Sequence, residues 1–516
     1  MQEYARWREQ RLQFRHRFYS QAVEPGLLSI LTPVWNGSPT GYLKELAQSL
    51  AAQNEGDGSE WVILANGVTN RPLLAYLEEL SRYRWVKLCR TETNVGITRG
   101  LRLCLEKASG RYVLPVDGDD WLYPDALRVV TWGIVNAGYP PLLYTDEDKI
   151  IGRNRFYQPY LKPSWDPVLL LNSAYIAHLG VIDREKALAL GAYTDSTAEA
   201  SPDWDLFLRF LAAGIGAVHI PEVVYSWRVH AESTADDAAS KPYVHASQKA
   251  VLQRYLDSRP DGASFGIRNS PLLAGGAHWH FVSAQKRDLP IHTVLLTLER
   301  AKESACSILD VAREAAGRDA FLHFRSEDLK LDESDWISEV ATLWQLYPDA
   351  VMIGGRIRNS QGVITEAGRY FGICGFCGCP HRGRPATDPG YFTHIWKQRC
   401  VSAVTTQLSV VNARFLVDVA QRIPQEASLA FLGAWAGAQA LREKKRVLYT
   451  PFLSGVSDLD WDALVPADEH QIFAQENAGL LFPDYRFYSR GLSTARGFEF
   501  GNPEYSPEPV APYCSL

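Results

Sequence analysis

Three carboxylates crowd into the four residues Asp117-Gly118-Asp119-Asp120. They follow the apolar run 111–116, which is typical of a β-strand, and Pro124 suits the first turn of a helix. A hard divalent cation takes oxygen ligands and keeps open positions for phosphate oxygens, so this loop could hold Mg²⁺ or Mn²⁺ against a diphosphate. Clustered aspartates in a loop more often form a turn and a helix N-cap, so the motif needs support from its surroundings.

The elements that must position this loop are visible as β-rich runs that alternate with helical stretches. These β-rich runs occupy residues 27–35, 60–66, 85–90 and 111–120. The alternation predicts a mostly parallel sheet with helices on both faces, and such sheets bind ligands at the carboxyl ends of their strands. The acidic loop ends the fourth run, so we expect the chemistry at that edge.

The same alternation reappears over residues 292–357 and predicts a second α/β domain built on a related plan. A chain of 516 residues exceeds what a single hydrophobic core supports, which also requires more than one domain. The C-terminal segment is Pro-rich and is expected to be extended or frayed. The predicted order is an amphipathic helix, a first α/β domain, a linker, a second α/β domain and the C-terminal segment, at 1–26, 27–240, 241–290, 291–490 and 491–516.

Composition excludes several classes of protein. With 53 Lys+Arg against 59 Asp+Glu, the net charge is −6 and the pI is about 6.1, so the basic footprint of a nucleic-acid-binding protein is missing. A hydrophobic content of 46% excludes intrinsic disorder, and eight cysteines are too few for a disulfide scaffold. The sequence begins without an apolar signal region and offers no convincing membrane span, so we expect a cytoplasmic protein.

The first 20 residues carry five arginines interleaved with aromatic and aliphatic side chains. Such a helix could lie on the anionic inner face of the cell membrane as a peripheral contact. Packing of the helix against the domain that follows is the favoured interpretation.

Several segments together resemble family 2 glycosyltransferases of the GT-A fold. The nucleotide-sugar half of that family is matched by ILTPVWN, WVILANG, the run 94–100 and VDGDD. YTDEDKI, PYLKPSWDPVLLL, SPDWDLFLR and YSWRVHAESTA are similar to a subgroup that assembles bacterial O-antigen and other surface polysaccharides, often as rhamnosyltransferases. Because the second α/β region looks like a degenerate copy, the resemblance implies two tandem GT-A-like (Rossmann-like) domains.

The resemblance also implies roles for individual residues. The first Asp of the acidic motif is expected near the ribose and the second on Mn²⁺ or Mg²⁺, with a histidine that either completes the metal site or contacts phosphate. The implied metal ligands are Asp119 and His230, and the implied nucleotide-sugar contacts are Pro33, Trp35, Asn66, Arg99, Asp117 and Arg228. Ala65 stands where the family usually carries an acidic residue that binds the base, so the identity of the base stays open.

Asp203 matches the catalytic base of the resembled family. Inverting transfer needs one carboxylate to take the proton of the acceptor hydroxyl as that oxygen attacks the anomeric carbon. Capping of the following helix is the structural alternative for Asp203, and Asp205 is expected to be structural. The acidic stretch Asp146, Glu147, Asp148 and Lys149 could border the acceptor site, or its charges could simply pair with one another.

The second domain departs from the family pattern at the positions that matter for chemistry. Ala434 and Ala436 stand at the acidic positions of the segment that should carry the base. We therefore predict that this domain is catalytically silent and serves in acceptor binding, scaffolding or dimerisation. Within it Cys374, Cys377, Cys379 and His381 have spacing compatible with a structural Zn²⁺ site, although the intervening glycines suit an ordinary loop.

The function predicted from these motifs is metal-dependent, inverting transfer of a sugar from a nucleotide-diphosphate sugar to a hydroxyl of a glycan or lipid-linked glycan. The alternative is a non-catalytic glycan-binding or assembly subunit in which both domains have lapsed. A sugar-phosphate nucleotidyltransferase would need a basic loop after the first strand, and TPVWNGSPT has neither Lys nor Arg. An oligomer is compatible with the sequence.

Overall fold

Hydrophobic runs in the first half of the chain form a nine-stranded sheet. The computed structural model describes residues 2–20, 23–54, 58–230, 242–273, 278–283, 289–481 and 483–513. The strands of the first sheet are β1 (Leu28–Val34), β2 (Ser59–Asn66), β3 (Val86–Thr91), β4 (Tyr112–Pro115), β5 (Trp121–Leu122), β6 (Leu142–Ile151), β7 (Arg155–Tyr160), β8 (Gly180–Asp183) and β9 (Val218–Arg228).

The helices of the first half cover this sheet with apolar faces. In the helix that begins at Ile97, for example, Leu101, Cys104 and Leu105 are buried at helical spacing. The helices are α1 (Gln2–Arg15), α2 (Thr40–Gln53), α3 (Arg71–Leu80), α4 (Ile97–Lys107), α5 (Ala126–Asn136), α6 (Pro167–Asn172), α7 (Arg184–Ala189) and α8 (Pro202–Ala212).

The first sheet has the order β3-β2-β1-β4-β8-β6-β9-β5, with β7 paired to β6. Pairing is parallel from β3 through β4 and between β6 and β9, and antiparallel at β8, β5 and β7. The α/β prediction is confirmed. The carboxyl ends of β1, β2, β4, β6 and β9 point to one edge, where the acidic loop begins.

The second half forms another α/β unit around an eight-stranded sheet. Its strands, with a small separate ribbon of β17 and β18, are β12 (Ile291–Leu296), β13 (Phe321–Ser326), β14 (Lys330–Leu331), β15 (Ala350–Arg358), β16 (Ile364–Glu366), β17 (Tyr370–Phe371), β18 (Cys377–Gly378), β19 (Arg399–Cys400), β20 (Leu408–Asn412) and β21 (Arg446–Val456). Its helices are α10 (Leu298–Ala301), α11 (Leu309–Gly317), α12 (Trp336–Leu346), α13 (Ala413–Val419), α14 (Leu432–Arg442) and α15 (Ala467–Leu481).

The two sheets repeat one topology. The order β1-β4-β8-β6-β9-β5 corresponds to β12-β13-β20-β15-β21-β14, and each corresponding pair of neighbours runs in the same relative direction. β7 on β6 likewise corresponds to β16 on β15. A duplicated architecture follows directly from the pairing pattern.

The second sheet has fewer strands at the edge where the first sheet carries β2 and β3. The connection 297–320 between β12 and β13 contains helices but no strand, whereas 35–111 between β1 and β4 contains β2 and β3. β12 is therefore an edge strand in the part of the chain that the structure describes. The loop after β13 is shorter too, because Asp328 aligns with Asp117 while Lys330 already begins the next strand.

Helix α1 packs on the first domain, as its favoured interpretation predicted. Arg11 and Arg15 are buried and both contact the carboxylate of Glu222, and Arg15 Nε also donates to Asp125 at 2.8 Å. Tyr19 adds a hydroxyl bond to Glu222 at 2.8 Å. Two of the five arginines thus neutralise a buried carboxylate and do not face a membrane.

The C-terminal segment is extended over its described residues 491–513, which is one of the two expected forms. Arg11 Nη1 donates to the carbonyl of Tyr505 at 2.7 Å, and Val510 forms a bridge with His219 of the first domain. The Tyr513 hydroxyl donates to the carbonyl of Leu441 in the second domain at 2.7 Å. The segment is extended, as Pro-rich chain should be, and its polar groups bond to both domains.

The predicted linker is also more ordered than expected. It holds helix α9 (Pro242–Asp257) and a hairpin of β10 (Phe265–Asn269) and β11 (Trp279–Ser283). Residues 241, 274–277 and 284–288 of the linker lie outside the described residues.

Direct polar contacts join the two domains. Asp166 at the start of α6 accepts a bond from the backbone N–H of Cys400 at 2.8 Å, and Lys397 Nζ lies 3.0 Å from Ser173 Oγ. The Tyr160 hydroxyl lies 3.1 Å from His394 Nε2. The second domain therefore supports residues 160–173 of the first.

Replacement of Glu222 by Gln tests the anchoring of α1. Glu222→Gln leaves two buried guanidinium groups without their shared carboxylate, so the free energy of unfolding should fall by about 3–5 kcal/mol. Glu78→Gln, which removes the partner of the exposed Arg90, is the control and should cost about 1 kcal/mol or less. Chemical denaturation of both variants provides the measurement, and equal losses would contradict the buried anchor.

Candidate active site

The acidic loop lies at the carboxyl end of β4 and is held in place by strand β9. Asp120 is buried, accepts the hydroxyl of Tyr225 and accepts the backbone N–H of Arg228 at 2.7 Å. Asp119 stays partly exposed, with its Oδ2 atom 2.8 Å from His230 Nε2. One aspartate therefore anchors the loop, while the next is presented to the cleft beside an imidazole.

Asp117 lies within the electrostatic influence of both Asp119 and Asp203. Although its side chain is open to the cleft, partial exclusion of water and the neighbouring charge of Asp119 raise the pKa of Asp117 to about 6, with a smaller contribution from Asp203. The structure thus brings together the acidic loop and the predicted base, which are far apart in the sequence.

Asp203 is the second residue of helix α8, and its carboxylate is 30% exposed. The N-cap of this helix is Ser201, so the capping alternative for Asp203 is wrong. Burial raises the pKa of Asp203, and the nearby His178 opposes that shift. Asp205 is structural, as expected, since its carboxylate pairs with Arg209 at 2.8 Å and with Arg254.

Sequence reasoning missed two residues beside Asp203, the partly exposed His178 and the buried Lys162 behind it. His178 Nε2 lies 3.9 Å from Asp203 Oδ2, and its Nδ1 lies 3.4 Å from Glu147 Oε2. Lys162 is fully buried with its Nζ 3.6 Å from Glu147 Oε2. No spacing signal could have found these two residues, because they come from separate loops that meet only in the folded chain.

Arg228, predicted as a contact of the nucleotide sugar, is not exposed to the cleft. Its side chain is fully buried and donates to the Asp119 carbonyl at 2.6 Å, to the Gly152 carbonyl and to Glu45 at 2.9 Å. The guanidinium therefore fixes the backbone of the acidic loop from behind, which is a supporting role.

The other residues predicted to contact the nucleotide sugar lie at both exposed and buried positions. The Trp35 indole is 53% exposed after β1, and Arg99 is exposed on α4. Pro33 lies within β1 beside Gly100. Asn66 is buried and accepts the Val95 N–H at 2.8 Å, so it organises a loop and is not itself open to a nucleotide.

Two of the predicted acceptor-site residues are structural. Asp146 is completely buried and bonds to the Lys162 N–H at 2.8 Å and to His219 at 2.7 Å. Asp148 is completely buried and accepts hydroxyls from Tyr4, Tyr123 and Ser226. Because side chains alternate along β6, only Glu147 and Lys149 of this stretch remain partly exposed.

The cysteine loop of the second domain does not form the predicted zinc site. Cys377, Cys379 and His381 are buried, and Cys379 Sγ accepts the Ala367 N–H at 3.2 Å. Burial raises the pKa of the Cys379 thiol to about 12, which disfavours the thiolate that zinc needs. Over the described ranges, no group of three or more His, Cys, Asp or Glu residues is arranged to hold a metal ion.

No helix among the described residues is both long and apolar enough to span a membrane.

Residues 29–131 match the family described as Glycosyl transferase family 2. The uncharacterized protein y4gI of Sinorhizobium fredii is 26% identical over 78% of this chain and 50% of its own length. The O-antigen biosynthesis protein RfbC of Myxococcus xanthus is 22% identical over 69% of this chain and 31% of its own length. The chain spans half or less of these curated relatives.

Among solved structures, S. aureus TarS is similar over 45% of this chain. Its structure with UDP has 18% identity, covers 65% of that chain and has a TM-score of 0.36. Its structure with UDP-GlcNAc has 17% identity, covers 66% of that chain and has a TM-score of 0.37.

The role of Asn66 in the loop before α4 gives a test of this geometry. Asn66→Ala removes the acceptor for the Val95 N–H and the donor to the Gly96 carbonyl, and should cost about 1–3 kcal/mol of stability. Amide exchange at Val95 should accelerate selectively. Asn136→Ala, at an exposed helix end, is the control with a change within about 0.5 kcal/mol; the same exchange rate at Val95 in both variants would contradict this role.

Proposed function

We propose that the first domain is an inverting glycosyltransferase that moves a sugar from a nucleotide-diphosphate sugar to a hydroxyl of a bacterial surface glycan. The observation that carries the proposal is the approach of Asp203 to the acidic loop. His178 Nε2 lies 3.9 Å from Asp203 Oδ2, and the ring stacks on Tyr225, whose hydroxyl donates to Asp120. The family 2 match at residues 29–131, which includes the acidic loop, supports the transfer class. The name of RfbC supports an O-antigen or related glycan as acceptor.

Asp203 is the base in this proposal. It accepts the proton of the acceptor hydroxyl as the hydroxyl oxygen bonds to the anomeric carbon, and the bond from that carbon to the diphosphate breaks with its electrons going to the nucleotide. A single carboxylate suffices on the protein side, because the leaving diphosphate is already a stable anion. Arg99, exposed at the first turn of α4, is suited to pair with that anion.

Mn²⁺ or Mg²⁺ fits the pair formed by Asp119 and His230. Their facing atoms are 2.8 Å apart, and an oxygen with an imidazole nitrogen suits Mn²⁺ in particular. Two protein ligands are enough when substrate phosphates and water fill the remaining positions. Such an ion neutralises charge on the diphosphate when bound.

The donor side of the cleft is suited to a nucleotide. The exposed Trp35 indole offers a face on which a base can stack. Because Ala65 replaces the expected acidic residue at the end of β2, recognition of the base falls to other groups, and both uridine and thymidine sugars remain candidate donors.

We propose a supporting role for the second domain. Its shortened acidic loop has only the buried Leu329 between Asp328 and the next strand, where the first domain has Gly118, Asp119 and Asp120. Ala434 and Ala436, at the start of α14, supply no carboxylate in place of Asp203. Its contacts with residues 160–173 instead support the segment that carries the buried Lys162.

Incubation of the purified full chain with a panel of nucleotide sugars, a glycan acceptor and Mn²⁺ or Mg²⁺ tests the function. We expect release of a nucleoside diphosphate with at least one donor. Asp203→Asn should lower kcat by about 10²–10⁴-fold, the usual range for loss of a general base. The exposed Asp310→Asn is the control. Binding of a glycan without turnover of any donor would favour the non-catalytic alternative.

A matched pair of substitutions tests the silence of the second domain. Asp117→Asn and Asp328→Asn alter topologically equivalent residues. Asp117 follows β4, which pairs with β1, and Asp328 follows β13, which pairs with β12. We expect Asp117→Asn to lower kcat/KM by about 10-fold or more, whereas Asp328→Asn should leave it within about twofold. A comparable loss in both variants would assign chemistry to the second domain.

A further inference from the structure

His178 lies between two carboxylates that come from different elements. Its Nδ1 is 3.4 Å from Glu147 Oε2 on β6, and its Nε2 is 3.9 Å from Asp203 Oδ2 on α8. The imidazole stacks on Tyr225 with ring centroids 5.0 Å apart and planes 11° from parallel. The ring is therefore flanked by a carboxylate at each edge and stacked on one face, while its Nδ1 approaches Glu147 without forming an aligned hydrogen bond.

Glu147 is in turn held by a backbone N–H and by a buried lysine. The backbone N–H of His178 donates to Glu147 Oε2 at 2.5 Å. Lys162, fully buried, lies 3.6 Å from the same oxygen and donates to the His178 carbonyl at 2.6 Å. The lysine thus ties the carboxylate and the histidine backbone together.

Charge around His178 favours its protonated form. Burial alone would lower the pKa of His178, but the close approach and charge of Glu147, with the charges of Asp203 and Asp120, raise it to about 9. Burial would raise the pKa of Glu147, but Lys162 and His178 hold it below the usual range. The groups that face the ring or its partners are Glu147, Lys162, Asp203, Asp120, Asp117 and Tyr225.

The negative charge of the Asp203 carboxylate is compensated by the His178 imidazole. Within the described ranges that carboxylate accepts no hydrogen bond from another side chain, and His178 is the group whose charge acts on it favourably. A partly buried carboxylate near a cation keeps its ionised form to lower pH than one without. The base must be ionised to accept a proton, so the neighbour affects its competence.

We propose that His178 is a positioning residue for Asp203, an imidazole placed between Glu147 and Asp203 whose positive charge keeps the Asp203 carboxylate ionised in the cleft. The proposal rests on the proposed function, in which Asp203 takes the acceptor proton. His178 exchanges no proton in the step. The proton moves from the acceptor hydroxyl to Asp203, and the imidazolium stabilises the carboxylate before transfer.

The kinetic test compares His178→Gln with the exposed control His292→Gln in the full chain. Loss of the positive charge should raise the pKa of Asp203, so the acid limb of the kcat–pH profile should move to higher pH by about one unit. Below that limb kcat should fall about tenfold, and it should recover near pH 8.5 with the donor KM unchanged. A profile of unchanged shape, whether at full or uniformly reduced activity, would overturn the proposal.

A second measurement needs no turnover. Histidine NMR of the full chain, with the His178 signal identified by its absence in His178→Gln, reports the pKa of the imidazole directly. Because coupling is reciprocal, Asp203→Asn should lower the pKa of His178 by about one unit. An unchanged pKa would overturn the coupling. If no donor is turned over by the unaltered protein, the proposed function fails while this titration still decides the His178–Asp203 interaction.

Discussion

Burial of carboxylates at the carboxyl edge of the first sheet, to which neighbouring acidic groups add repulsion, is the constraint on which this structure depends. Burial makes each such charge costly unless a donor or cation compensates it. Asp146 is compensated by His219 and a backbone N–H, and Asp148 by three hydroxyls. Even so, burial raises the pKa of Asp148 to about 6. The carboxylates proposed for catalysis have fewer hydrogen-bond donors and cations beside them than Asp146 and Asp148.

Distant parts of the chain contribute to that compensation. Tyr4 from the N-terminal helix reaches Asp148, and the same helix is anchored by Arg11 and Arg15 on Glu222. The second domain acts from the other side, through Asp166 and the N–H of Cys400. Terminal helix and second domain therefore support the cleft without contributing a reacting group to it.

The internal repeat shows how far the loops and charges at the edge of a sheet can differ while its strand order is kept. Both sheets share one strand order, yet the second lacks counterparts of β2 and β3 among the described residues. Asp148 on β6 pairs with Ser226 on β9, and Arg358 on β15 pairs with Val456 on β21. Because these strands correspond in the two sheets, a positive side chain in the second sheet stands in place of a negative one in the first. Arg358 is paired with Asp332 at 2.7 Å, which makes it part of a local ion pair. Strand pairing depends on backbone and apolar side chains, and the charged edge is free to change.

The sequence by itself determined the α/β class, the duplication and the location of the acidic loop, because hydrophobic periodicity and strand-end motifs are local signals. It also identified Asp119, His230 and Asp203 as a set, through a family resemblance. Only the tertiary structure decided that Arg228 and Asn66 face inwards, that the cysteine loop does not gather metal ligands, and that His178 stands beside Asp203. Those outcomes depend on side-chain direction and on contacts between segments far apart in the chain, and neither is encoded in local spacing.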